Sequence, residues 1–139
     1  MKRRLFVQGG VLGSLFGSMG VATIAEASPT AVDKMAGAVY YTKENPGRWA
    51  TKVAGHLPTI KVSGDMVKVL TGHEMNPHAH YIVKHVLFDQ DFKILGEKMF
   101  DPTKDKAAAS NYYVKGYQGR LYALSVCNKH DAWLNSIDV

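Results

Sequence analysis

Cys127-Asn128-Lys129-His130 closes an apolar run, and further histidines at positions 56, 73, 78 and 80 precede it. One soft thiolate with a surplus of imidazoles is a ligand set for a redox-active transition metal. The chain holds a single cysteine, so it can close no internal disulfide and cannot supply the several thiolates of a typical structural zinc site. If Cys127 binds a metal, histidines must complete the shell. The C-x2-H spacing puts Cys127 and His130 on one turn after a strand. His73 and His80 bracket residues 74–79, so a strand–loop–strand corner can bring both to one point. His56 follows Gly55, precedes Leu57-Pro58, and can reach the same place from a loop. A histidine taken singly is more often solvated or hydrogen-bonded than metal-bound; the five residues together carry the reading. His85 lies five positions past His80, an odd offset that turns it to the opposite face of a strand, and it is left out of the set.

The elements that must hold these side chains read as short strands. Residues 59–63 and 66–70 flank Gly64-Asp65, a two-residue hairpin turn. Residues 80–88 are rich in β-branched and aromatic side chains, 92–100 follow Asp89-Gln90-Asp91, and 111–115, 121–127 and 133–139 complete the pattern. About seven strands at this spacing, with no long helix, predict an all-β fold, an immunoglobulin-like Greek-key β-sandwich. Residues 28–53 read as an extended lead-in that packs Tyr40, Tyr41 and Trp49 on the domain. One or two helical turns are compatible with 31–41, and Asn45-Pro46-Gly47 is a break.

The amino terminus reads as an address. Arg3-Arg4-Leu5-Phe6-Val7 has the twin-arginine pattern, no charge follows until Glu26, and Ala25-Glu26-Ala27 is a small-x-small cleavage site. Glycines at 9, 10, 13, 17 and 20 make the apolar stretch weakly hydrophobic, which suits that route and argues against a retained membrane anchor. The expected organisation is a signal peptide over 1–27, the lead-in over 28–53 and a metal-binding domain over 54–139, with a periplasmic destination. The full chain carries 17 basic and 12 acidic side chains. Losing Lys2, Arg3, Arg4 and Glu26 takes three from the first count and one from the second, leaving a net charge of about +3. That charge is too mild and too scattered to imply nucleic acid. A lone cysteine in an oxidising compartment is best either buried or held by a metal.

Gly55-His56-Leu57-Pro58, Gly72-His73-Glu74-Met75, His80-Tyr81-Ile82 and Leu121-Tyr122-Ala123-Leu124-Ser125-x-Cys127-Asn128-Lys129-His130-x2-Trp133 resemble the superoxide reductases, the neelaredoxin and desulfoferrodoxin family. The likeness runs in order from about residue 54 to 139 and is most specific in its last segment. It implies one mononuclear iron, with His56, His73, His80 and His130 as equatorial ligands and Cys127 as the axial thiolate. It implies the reduction of superoxide to hydrogen peroxide with an electron from an external donor protein. Self-association is a further expectation. The thiolate would push electron density toward the open position, as in cysteine-ligated haem proteins. Glu74 is a candidate catalytic residue, a carboxylate able to reach the sixth position of oxidised iron.

The chain departs from the family pattern in three places. Ala54-Gly55 stands where the family has Glu-Lys before its first histidine, so the cation over the open position is missing. His-Pro-Met becomes His73-Glu74-Met75. The loop to His80 is one residue longer and contains His78, an alternative ligand; Tyr81-Ile82 favours His80 by register. Lys52, Lys61 and Lys129 are candidates to replace the missing positive potential.

Two other classes fit parts of the pattern. A cupredoxin-like periplasmic electron carrier would use an upstream histidine and the C-x2-H segment, but residues 131–139 contain no axial methionine. A metal-free β-sandwich that binds a partner, or carries sulfur on Cys127, would leave the histidine spacing unexplained. Elemental analysis separates the three.

Overall fold

A computed structural model describes residues 33–139; the leader expected over 1–27 and the first part of the lead-in lie outside the described residues. Seven strands follow in chain order: β1 Thr59–Ser63, β2 Met66–Thr71, β3 Ile82–Phe88, β4 Ile94–Met99, β5 Ala108–Tyr113, β6 Arg120–Cys127 and β7 Asp131–Asp138. They form two antiparallel sheets, one ordered β1-β2-β5 and the other β4-β3-β6-β7. The fold is therefore an all-β sandwich, and its non-sequential pairings β2–β5 and β3–β6 are of the Greek-key kind.

Alternation builds the core. Along β2, Val67, Val69 and Thr71 face inward while Met66, Lys68 and Leu70 face solvent. Along β6, Leu121, Ala123, Ser125 and Cys127 do the same. The sheets close on Val67, Val69, Leu87, Tyr112, Leu121 and Ala123. Gly64 takes φ 57 in the turn between β1 and β2, a conformation glycine adopts without steric cost.

Several boundaries differ from the sequence pattern, each for a local reason. The third strand starts at Ile82 because Asn76 and His80 pair across a tight turn, with Asn76 N–H donating to His80 O at 3.0 Å and His80 N–H to Asn76 O at 3.2 Å. The fourth starts at Ile94, since Phe92 takes φ 60 and Asp89 Oδ1 accepts from the amides of Asp91 and Lys93. The fifth lies upstream of the expected 111–115. Alanines 107–109 have low strand propensity, yet Ala108 fits between the sheets with no exposure.

The lead-in is not extended throughout. It turns helically over Asp33–Met35 and Gly47–Lys52 and then makes one α-turn, α1, over Val53–His56. The break expected at Asn45-Pro46-Gly47 is there, and Pro46 stands at the N-cap of Gly47–Lys52. Tyr41 runs beside β7, its N–H donating to Ala132 O at 2.9 Å and its O accepting from Leu134 N–H at 2.8 Å. That side chain is buried against Trp133. One end of the sandwich thus gathers the end of α1, the end of β2, the start of β3 and the β6–β7 turn.

Candidate metal centre

Each candidate ligand sits where an element begins or ends. His56 is the last residue of α1. His73 follows β2, its amide donating to Thr71 O at 2.8 Å. His80 closes the bridged turn before β3. Cys127 ends β6 and pairs with Asp131 at the start of β7. His130 lies in the three-residue connection between them, which closes because Asp131 accepts φ 62.

The five side chains converge, with one ligand atom from each lying within 4.8 Å of every other. Three contacts link the four imidazoles through their inward nitrogens. His56 Nε2 lies 2.9 Å from His130 Nδ1, His130 Nδ1 lies 3.0 Å from His80 Nε2, and His80 Nε2 lies 3.0 Å from His73 Nε2. A metal held by imidazoles sits about 2.0–2.1 Å from each nitrogen, so neighbouring corners of a square around it are about 2.9 Å apart. The three contacts have that spacing. Cys127 Sγ is 3.6 Å from His130 Nδ1 and 3.9 Å from His73 Nε2. The sulfur thus lies close to two nitrogens, those of His130 and His73, that do not contact each other.

Hydrogen bonds on the outer nitrogens say which atoms carry protons. His56 Nδ1 donates to Lys52 O at 2.9 Å, His73 Nδ1 donates to Glu74 O, and His80 Nδ1 donates to Glu74 Oε1 at 2.7 Å. Oxygens of these kinds only accept, so in the neutral rings Nε2 carries a lone pair aimed inward. Burial pushes His56 down to about 4, and burial also holds His73 and His130 below the usual imidazole range, reinforced by the neighbouring rings. With neutral rings the His73–His80 contact is therefore lone pair against lone pair. That is a repulsive arrangement until a cation lies among them.

The surroundings fix the set. The inner side of Cys127 is apolar, packed by Ile82, Phe100, Ala108 and Met75. Lys129 N–H donates to Sγ at 3.4 Å. Trp133 Nε1 donates to His130 O at 2.9 Å, and the Trp49 ring meets the His130 ring edge-on at 4.7 Å. Trp49 is held in turn by Asp131, which accepts from its indole N–H at 2.8 Å and pairs with Arg48.

Of the residues singled out by sequence, the structure brings His56, His73, His80, Cys127 and His130 to one point. It leaves His78 exposed at φ 58 in the turn before His80. It places the carboxylate of Glu74 behind His80, on the outer nitrogen, rather than on the face opposite the sulfur. Lys52 and Lys129 both lower the His130 imidazole by charge repulsion, so both contribute positive potential at the centre. Lys61 lies in the middle of β1 opposite Lys68.

Sequence reasoning passed over Asn128. Its amide oxygen accepts from Tyr81 N–H at 3.0 Å and its NH2 donates to Ala79 O at 3.2 Å, clamping the segment that carries His80. Its place inside the Cys127-to-His130 motif was the available signal.

No protein-family profile and no curated protein sequence matches the chain. Solved structures do. The chain is similar to superoxide reductase (neelaredoxin) from Ignicoccus hospitalis, with 28% identity, TM-score 0.56, and 73% of this chain and 94% of that one covered. It is similar to superoxide reductase from Giardia intestinalis, with 26% identity, TM-score 0.53, and coverage of 61% and 98%. It is also similar to superoxide reductase from Treponema pallidum, with 27% identity, TM-score 0.50, and coverage of 60% and 67%.

Proposed function

We propose that the chain is a mononuclear non-haem iron superoxide reductase, converting superoxide to hydrogen peroxide with one electron and two protons. The observation that carries this reading is the convergence of four inward imidazole nitrogens and a single thiolate, one ligand atom from each within 4.8 Å of every other. The similar solved structures named above carry that name, which supports the same assignment. His56, His73, His80, His130 and Cys127 would hold the iron, which would supply one-electron reducing chemistry there, with an external donor protein restoring the electron.

The chain's own residues do the rest. Neutral His56, His73 and His130 offer lone pairs without first shedding protons. The apolar wall around Cys127 keeps water from the sulfur and strengthens its field at the centre. The Lys129 amide draws part of the thiolate's charge and so moderates its push. Glu74 holds His80 in one tautomer. Lys52 and Lys129 attract the anion. The four imidazoles exceed what a blue-copper centre employs.

After iron-replete expression, one iron per chain is expected. The reduced protein should consume a pulse of superoxide without releasing dioxygen. Zinc or copper alone in the purified protein, or dioxygen release without added reductant, would overturn the assignment.

Gly55 offers a second test. It lies in α1 beside His56, and an added Cβ would meet only Gly72 O, at 3.9 Å. Gly55→Lys should fold and bring a cation next to the anion's approach. The expected outcome is a rise in the bimolecular rate of roughly 10-fold at low salt, with a steeper fall as ionic strength grows. An unchanged rate and slope at full iron content would show that Lys52 and Lys129 already saturate the attraction.

A further inference from the structure

Below the metal centre, between the sheets, lies a second polar cluster. Thr71 Oγ1 is 2.8 Å from His85 Nε2 and 2.8 Å from Ser125 Oγ, and His85 Nδ1 is 2.9 Å from Ser110 Oγ. Relative exposures are 1% for Thr71, 0% for His85 and Ser125, and 4% for Ser110. Burying such groups costs stability unless each finds a partner, and apolar side chains would fill the space more cheaply. Here every one is satisfied: among the described residues no buried side-chain nitrogen or oxygen lacks a partner. Burial holds His85 down to about 4, so the ring is neutral, donating at one nitrogen and accepting at the other.

Position distinguishes this cluster from an ordinary polar core. Thr71 is the last residue of β2, two before His73, whose amide it receives. Ser125 lies two before Cys127 on the same face of β6. His85 is paired in register with Ser125 as Ile82 is with Cys127, and its ring meets Phe100 edge-on at 4.9 Å, the same Phe100 that packs the Cys127 cluster. His73 comes from the three-stranded sheet, whereas His80, Cys127 and His130 come from the four-stranded one. The distance between the His73 nitrogen and the sulfur is therefore set by how the two sheets sit at this end. Apolar contacts allow small slides, but hydrogen bonds of this length and direction do not.

We propose that the Thr71–His85–Ser125 strap is a positioning device for the metal centre, locking the end of β2 to β3 and β6 so that His73 and Cys127 meet the metal at a fixed separation. The proposal rests on the reading of the five-residue cluster as a thiolate-bearing iron centre. It is tested on iron-loaded protein by the energy of the thiolate-to-iron charge-transfer band and the midpoint potential, with thermal stability measured alongside.

Thr71→Val keeps the shape and removes the hydroxyl, Thr71→Ser restores it, and Ser125→Ala cuts the strap at its other end. Val69→Ala, a cavity in the neighbouring core, controls for lost stability alone. The expected result is that Thr71→Val and Ser125→Ala move both band and potential, Thr71→Ser returns them to wild-type values, and Val69→Ala leaves them in place while lowering the melting temperature at least as much. Should Thr71→Val fail to fold, Ser125→Ala against Val69→Ala decides. Wild-type band and potential in the strap variants, or an equal displacement in Val69→Ala, would overturn the proposal. A wild type that lacks the band would overturn the metal-centre reading and the strap with it; a wild-type band untouched by the strap variants overturns the strap alone.

Discussion

Cys127→Ser is expected to abolish the thiolate-to-iron charge-transfer band of the oxidised protein. It should also cut the superoxide rate by more than the roughly 10–100-fold that follows loss of an outer-sphere partner. The serine hydroxyl is a hard, neutral donor at ordinary pH and gives the centre neither negative charge nor polarisable electron density. Four imidazoles would remain, held by Lys52 O, the backbone of Glu74, its carboxylate and the Trp133–His130 contact. Iron should then bind less tightly, with its visible spectrum lost first. The fold should survive, because a hydroxyl at this 4% exposed position can take over the Lys129 amide. A stability cost of about 1–3 kcal/mol is expected from setting that hydroxyl among Ile82, Phe100 and Ala108. A serine variant that kept the band would show that the chromophore is not this sulfur, and the axial role of Cys127 would fall with it.

Much of the architecture that holds Cys127 was legible because it is written in alternation and turn chemistry. Gly64-Asp65 marked its hairpin, and β1 lies at the expected residues. What escaped was set by partners distant in sequence. His85 was judged only against His80, five residues away; the strand begins after His80, and its register shifts between Ile82 and Lys84. No local pattern could announce that Thr71 and Ser110 would meet its ring and that Ser125 would meet Thr71, three residues from three other strands. The Arg48–Asp131 pair, which holds Trp49 against His130, joins residues 83 positions apart. α1 is a single turn, too short to show a helical period, yet it supplies His56. Glu74 was legible as a carboxylate near two histidines. The side of the ring it would occupy depends on the turn from Asn76 to His80.

That turn gives a sharp contrast between two histidines. His80→Ala should reduce iron content to a small fraction of one per chain, whereas His78→Ala should leave it close to wild type. His80 Nε2 makes two of the three contacts that define the nitrogen ring, to His73 and to His130. Its outer nitrogen is fixed by Glu74, and the segment before β3 is clamped by Asn128. Removing it deletes a corner and leaves Glu74 without its imidazole. His78 stands at the exposed tip of the same turn, at φ 58, outside the cluster. Alanine there loses no ring contact and meets a left-handed strain of about 1–2 kcal/mol that histidine already bears. The measurement is metal content by elemental analysis after identical iron-replete expression, with the melting temperature of each variant. The reverse ranking would mean that the longer loop can swing His78 into the corner, because the backbone bridge between Asn76 and His80 would have to open for that nitrogen to reach the ring. Hydrogen exchange at the amides of Asn76 and His80, protected in the bridged turn and exposed in the open one, would identify that rearrangement directly.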